Sequence, residues 1–218
     1  TKDTVTTGVA VAAGNTLIVV GGRYLGSTGD TISSVTDSKS NTYVVDIAGF
    51  GFPNTERLGV ASGYMTTALT STDTVTIQWT NASANSYFFA QLTTYSVVAS
   101  SSAKDQSANA TAFRVQADGI TSGPTGTTTQ DSELIFGVLA VESATETISP
   151  GASFTMRPQL RWASSLVSGV EDRIVSSKAA YTATGSWVAG NQQELGICMT
   201  YKEAAINPVF EYRVPMYT

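Results

Sequence analysis

The chain of 218 residues contains no histidine and a single cysteine, Cys198. The first absence removes the commonest general base and the commonest zinc ligand together. The second rules out an internal disulfide and, with it, the usual marker of secretion. Cys198 alternates with Leu195, Ile197 and Met199, which reads as a small buried side chain rather than a reactive thiol. Charge is scarce as well: Asp, Glu, Lys and Arg make up 13% of residues, and the formal net charge is −5. No run of Lys or Arg occurs, so the sequence offers neither a nucleic-acid groove nor a patch for an anionic membrane. No apolar run approaches the length needed to span a bilayer. The chain opens at Thr1 without a charged segment followed by an apolar one, and no signal peptide is expected in it.

What is present is period-two alternation, the mark of strands with one face on a core. In Thr74–Thr80, "TVTIQWT", Val75, Ile77 and Trp79 face one way and the polar residues the other. "ELGICMTYK" places Leu195, Ile197, Met199 and Tyr201 on one side. "LIFGVLAVES" is apolar on both faces and predicts a strand covered on both sides. Further strands are expected over Thr4–Ala12, Thr16–Tyr24, Thr42–Phe50, Arg57–Thr66, Ser86–Val97, Thr111–Gln116, Phe154–Trp162, Ile174–Tyr181 and Ser186–Ala189, with Gly, Asn, Asp and Pro turns between them. The class expected is all-β, a two-sheet antiparallel β-sandwich with almost no helix. Ala99–Ala112, poor in apolar residues, reads as a long exposed connection. Residues 1–203 are taken as the sandwich domain and 204–218 as a C-terminal arm.

The chemistry legible in this pattern is sparse. Asp30, Asp37 and Asp46, with Glu56, are the candidates for a calcium site, although no EF-hand spacing is present. Glu171 and Asp172 are adjacent in a strand and therefore point to opposite faces. They are expected to pair with Arg157, Arg161 or Arg173 rather than act together on a substrate. No cofactor is implied, and no arrangement for nucleophilic catalysis is found. Trp162 and Trp187 are the candidates for stacking on sugar rings. Asn81 and Asn109 open N-x-S/T triplets expected in loops. In the arm, Phe210, Tyr212, Val214 and Met216 form an apolar row, with Val209 and Tyr217 flanking it. Pro208 and Pro215 would confine such a strand to a sheet edge, and the arm is expected to dock by strand addition on its own domain or on a neighbour.

The segments "VAVAAGNTLIVVGGRY", "ISSVTDSKSNTYVV", "YMTTALTSTDTVTIQWT", "AQLTTYSVV", "SELIFGVLAVES", "GASFTMR", "VEDRIVSS" and "WVAGNQQELGICMTYK" follow one another from Thr4 to Lys202. In that order the chain resembles a β-sandwich module of bacterial secreted proteins and phage structural proteins that carries a V-T-D-S-x-G-N-T-Y corner. Here Ser40 stands where that module has glycine. The resemblance implies a jelly-roll-like sandwich and transfers no catalytic residue. The expected function is a non-enzymatic structural or adhesion subunit exposed on a virion, as capsid decoration or a tail or fibre component. The alternatives are an extracellular filament subunit and a carbohydrate-binding module. Expected partners are the chain itself or a capsid or filament neighbour, with carbohydrate as a further option. The Asp37–Asn41 hinge is expected to hold its turn through side chain to backbone hydrogen bonds.

Overall fold

The computed structural model describes residues 1–24, 29–51, 56–81, 87–114, 119–143, 145–162, 166–188, 192–204 and 210–211; for residues 24, 87, 113, 114, 162, 210 and 211 it describes the backbone alone. The fold is all-β, with antiparallel strands and no helix among the described residues. The chain divides into two compact units: Thr1–Ser101 with 206–218, and Ser102–Ala205. Each has two sheets, whereas the sequence reading took 1–203 as one sandwich.

Unit 1 contains β1 (Lys2–Thr6), β2 (Thr16–Tyr24), β3 (Ile32–Asp37), β4 (Tyr43–Phe50), β5 (Glu56–Tyr64), β6 (Thr74–Trp79) and β7 (Tyr87–Tyr95). One sheet runs β1-β6-β3 and the other β7-β2-β5-β4. Alternation directs Val5, Ile32, Val35, Val75, Ile77 and Trp79 of the first sheet onto Leu17, Val19, Ala61, Ala90 and Leu92 of the second, and all are buried. Expected β6 is found with the predicted facing. The opposite face of β2 is buried as well, through Ile18 and Val20. Gly22 belongs to that face, and a Cβ there would lie 2.0 Å from the Phe89 ring. Only glycine lets the ring lie flat against the strand.

Unit 2 contains β8 (Lys104–Arg114), β9 (Ile120–Thr121), β10 (Ser132–Val141), β11 (Ser149–Pro150), β12 (Thr155–Met156), β13 (Leu160–Trp162), β14 (Leu166–Ser176), β15 (Thr184–Ser186) and β16 (Gln192–Lys202). Its sheets run β11-β15-β9 and β12-β14-β10-β16-β8, with β13 also on β14. The core joins Ile120, Ile148, Phe154, Tyr181, Ala183 and Trp187 to Ile135, Leu139, Val141, Val167 and Cys198. β10 is buried on both faces, as its composition predicts.

Two expectations fail here. Residues 104–114 form a regular strand and not an exposed connection. Ser107, Asn109 and Thr111 are its exposed positions; small polar side chains suit an outward face but give no hydrophobic alternation to read. β14 begins at Leu166, eight residues before the expected start at Ile174. Ser168 and Gly169 in "LVSGV" read as a turn, but a Cβ on Gly169 would lie 2.8 Å from Met156 Sδ, so the glycine makes room for a neighbouring side chain.

The two units share one strand order. Substituting β9, β10, β11, β12 with β13, β14, β15 and β16 for β1 to β7 in turn converts one pair of sheets into the other. The equivalence extends to the outer edges. In unit 2, β8 lies beside β16, and in unit 1 the short β17 (Phe210–Glu211) lies at the same place beside β7. Tyr201 of β16 pairs with Lys104, the first residue of β8, and Tyr95 of β7 pairs with Phe210, the first residue of β17. Both tyrosines are fully buried and both follow a threonine.

Candidate assembly edge

β7 and β16 are the strands on which terminal or connecting segments of the chain complete a sheet. β8 follows β7 in the chain and pairs with β16 over Gln192–Tyr201, while β17 follows β16 and pairs with β7 at Thr94 and Tyr95. Main-chain pairing of this kind requires little of the incoming sequence beyond extended backbone, which is why sheet edges serve as docking templates. Of the expected arm residues, Phe210 lies in β17; Val209, Tyr212, Val214, Met216 and Tyr217 lie outside the described residues.

The start of β8 carries a polar cluster. Asp105 accepts hydrogen bonds from Thr129 N (2.6 Å, to Oδ2) and Thr129 Oγ1 (2.8 Å, to Oδ1). Lys202 Nζ stands 3.7 Å from Asp105 Oδ1. Glu133 of β10 is the cross-strand partner of Lys202 and is fully buried. Burial, partly opposed by the Thr200 hydroxyl and reinforced by the Asp105 carboxylate, pushes the Glu133 carboxyl up to about 7. Burial also acts to raise Asp105, but the Thr129 bonds, the neighbouring Glu133 carboxyl and Lys202 outweigh it and hold Asp105 below the usual carboxylate range. These residues lie far apart in sequence, and no spacing rule would have brought them together.

The calcium candidates do not share a site. Asp30 is fully buried against Arg23, whose Nη1 lies 3.2 Å away, and Arg23 also donates to Asp3 through Nε (2.9 Å) and Nη2 (2.8 Å). Trp79 lies beneath the same guanidinium, 5.2 Å from ring centroid to Cζ. Asp37 spends both oxygens on its own corner: Oδ1 accepts from the amides of Lys39 (2.8 Å) and Asn41 (3.1 Å), and Oδ2 from Asn41 Nδ2 (2.9 Å) and Tyr43 Oη (2.9 Å). Burial next to the Asp37 charge holds the Tyr43 phenol well above its ordinary value. Asn41 Oδ1 in turn accepts from Thr66 Oγ1 and Thr67 N. The hinge is thus the scaffold corner that the sequence reading expects, and its left-handed residue is Ser40, φ 61°, at the position where the resembled module has glycine. Asp46 is buried on β4. Among the described residues, no three or more Asp, Glu or Cys side chains gather as a metal would require.

Asp172 and Glu171 diverge as predicted. Asp172 takes a bidentate grip from Arg157, with both contacts at 2.6 Å. Glu171 turns into the core of unit 2 and accepts from the amides of Gly151 (2.9 Å) and Thr184 (3.1 Å). Burial outweighs these bonds and pushes its carboxyl up to about 7. Trp187 follows β15 and is 4% exposed within that core, so it presents no platform to a sugar. The Trp162 side chain lies outside the described residues. Asn81 is exposed just after β6, and Asn109 is exposed on β8, a strand instead of the expected loop. Burial raises the Cys198 thiol to about 12, which leaves it inert at neutral pH.

Comparison with protein-family models, with curated proteins and with solved structures returned no match.

Proposed function

We propose that this chain is a structural subunit, without catalytic activity, that assembles on an external surface through sheet edges and its C-terminal arm. A virion surface, as capsid decoration or a tail or fibre component, is the setting that best fits its resemblance to phage structural modules. The observation that carries the reading is the pairing of β17 with β7: a segment at the far end of the chain adds a strand to a sheet made from the first hundred residues. An arm held by main-chain bonds, each contributing about 0.5–1.5 kcal/mol net, can exchange its own edge for a neighbour's at little cost in enthalpy. Composition supports the same reading, because a histidine-free chain with few charges leaves its surface to Thr, Ser and Asn.

Light scattering and electron microscopy of the full chain and of a chain lacking 206–218 test this. The full chain is expected to form ordered multimers and the shortened one to remain monomeric. Identical oligomeric states for the two would remove the arm from the account.

A further inference from the structure

We propose that Lys202 and Asp105 become joined by an intramolecular isopeptide bond, with Glu133 relaying the protons, so that β8 is fastened covalently to β16. The inference concerns unit 2 alone and does not rest on the assembly reading.

The geometry is that of a reaction poised between neighbours. Lys202 is the last residue of β16, Asp105 the second of β8, and Glu133 lies opposite Lys202 on β10. Lys202 Nζ stands 3.7 Å from Oδ1, outside hydrogen-bond range, so the amine lies beside the Asp105 carboxyl without being engaged by its oxygens. The Asp105 side chain is 4% exposed against 31% for Lys202, so water is held away from the carboxyl that is attacked while the amine keeps some access to solvent. The main chain fixes the approach, since Lys202 N donates to Ala103 O at 2.7 Å. Glu133 is fully buried opposite Lys202, and neither of its carboxyl oxygens has a hydrogen-bond partner; burial keeps a proton on it near neutral pH, and it is positioned to pass that proton on.

The step balances without an oxidant or co-reactant. The Lys202 ammonium loses a proton to the Asp105–Glu133 pair, and the neutral amine attacks Asp105 Cγ. Charge developing on Oδ2 is met by the Thr129 amide, already 2.6 Å away. Glu133 delivers its proton to Oδ1 and is reprotonated from Nζ. The Cγ–Oδ1 bond breaks and water leaves. Of the three ammonium protons, one remains on the new amide and two depart in the water, and Glu133 ends as it began.

Intact-mass spectrometry of the folded full chain tests the proposal directly. A deficit of one water, about 18 Da, is expected, with a proteolytic fragment linking the peptides that contain Lys202 and Asp105. Lys202→Arg keeps the charge and removes the nucleophile, and Glu133→Gln keeps the shape and removes the relay; both are expected to fold and to show the full mass. Full mass for the folded native chain after prolonged incubation at neutral pH would overturn the proposal, as would a deficit that survives Lys202→Arg.

Discussion

The two units solve one problem in two ways. Each must hold the corner where its chain leaves the smaller sheet for the larger, from β3 to β4 in unit 1 and from β11 to β12 in unit 2. Unit 1 does so with residues of the corner itself: Asp37 gathers four donors from within six residues of chain, and Asn41 extends the network to Thr66 and Thr67. Unit 2 has no carboxylate in its corner and borrows one from β14, with Glu171 reaching Gly151 and Thr184. A short-range network forms as soon as the turn does, whereas a borrowed carboxylate is available only when the sheets have closed. The charges differ accordingly. Asp73, held by Ser38, Thr70 and Lys39, lies well below the usual carboxylate range, while Glu171 lies well above it.

The comparison can be broken most severely at Arg23. Replacing it with alanine strands Asp30, fully buried, without its counter-ion, and the loss of such a partner costs about 3–5 kcal/mol. Unit 1 is expected to lose that stability in chemical denaturation followed by hydrogen exchange, with amides of unit 2 unchanged. Asp37→Ala is next, because four donors lose their acceptor; about 2–3 kcal/mol is expected after allowing for water reaching the exposed ones. Glu171→Gln keeps one acceptor oxygen and sharpens the pH contrast. A carboxyl whose folded value lies above its unfolded one binds its proton more tightly when folded. Its contribution is therefore complete below about 4.5 and is lost as pH rises toward about 7. Unit 2 should lose stability across that window in the native chain and less in Glu171→Gln, where Glu133 alone keeps the same slope, as thermal melts at pH 4.5, 6 and 7.5 would reveal. For Asp73 the sign is opposite: its contribution is lost as pH falls below the ordinary carboxylate range. The smallest effect is Ser40→Gly. A non-glycine residue at φ 61° is strained, and relief of about 1–2 kcal/mol is partly offset by the added freedom of the unfolded chain. A net gain of about 0.5–1 kcal/mol is expected in the urea midpoint.

Much of this fold could be read directly. β6 and β16 carry apolar residues at a period of two, while β2 and β10 are apolar on both faces, and burial sorts such strands by face. The Asp37 corner was legible because its donors lie within a few residues of the acceptor. β8 was not, since a strand with Ser107, Asn109 and Thr111 outward and small residues between them has no apolar period. The partnership of Asp105, Glu133 and Lys202 was hidden for another reason: three separate strands bring it together, and only strand order supplies the proximity. The shared strand order left a faint trace in Thr94-Tyr95, which ends β7, and Thr200-Tyr201, one residue short of the end of β16. The burial of Trp187 was not legible because the residue lies just past β15, where alternation gives no facing.

The central claim is that the segment after β16 completes the sheet of unit 1 just as β8 completes that of unit 2. Amide hydrogen exchange on the full chain, and on a chain ending at residue 205, measures this most directly. Exchange is expected to accelerate on β7, around Thr94 and Tyr95, while β16 keeps its protection under β8. Equal protection of β7 in both chains would contradict the claim.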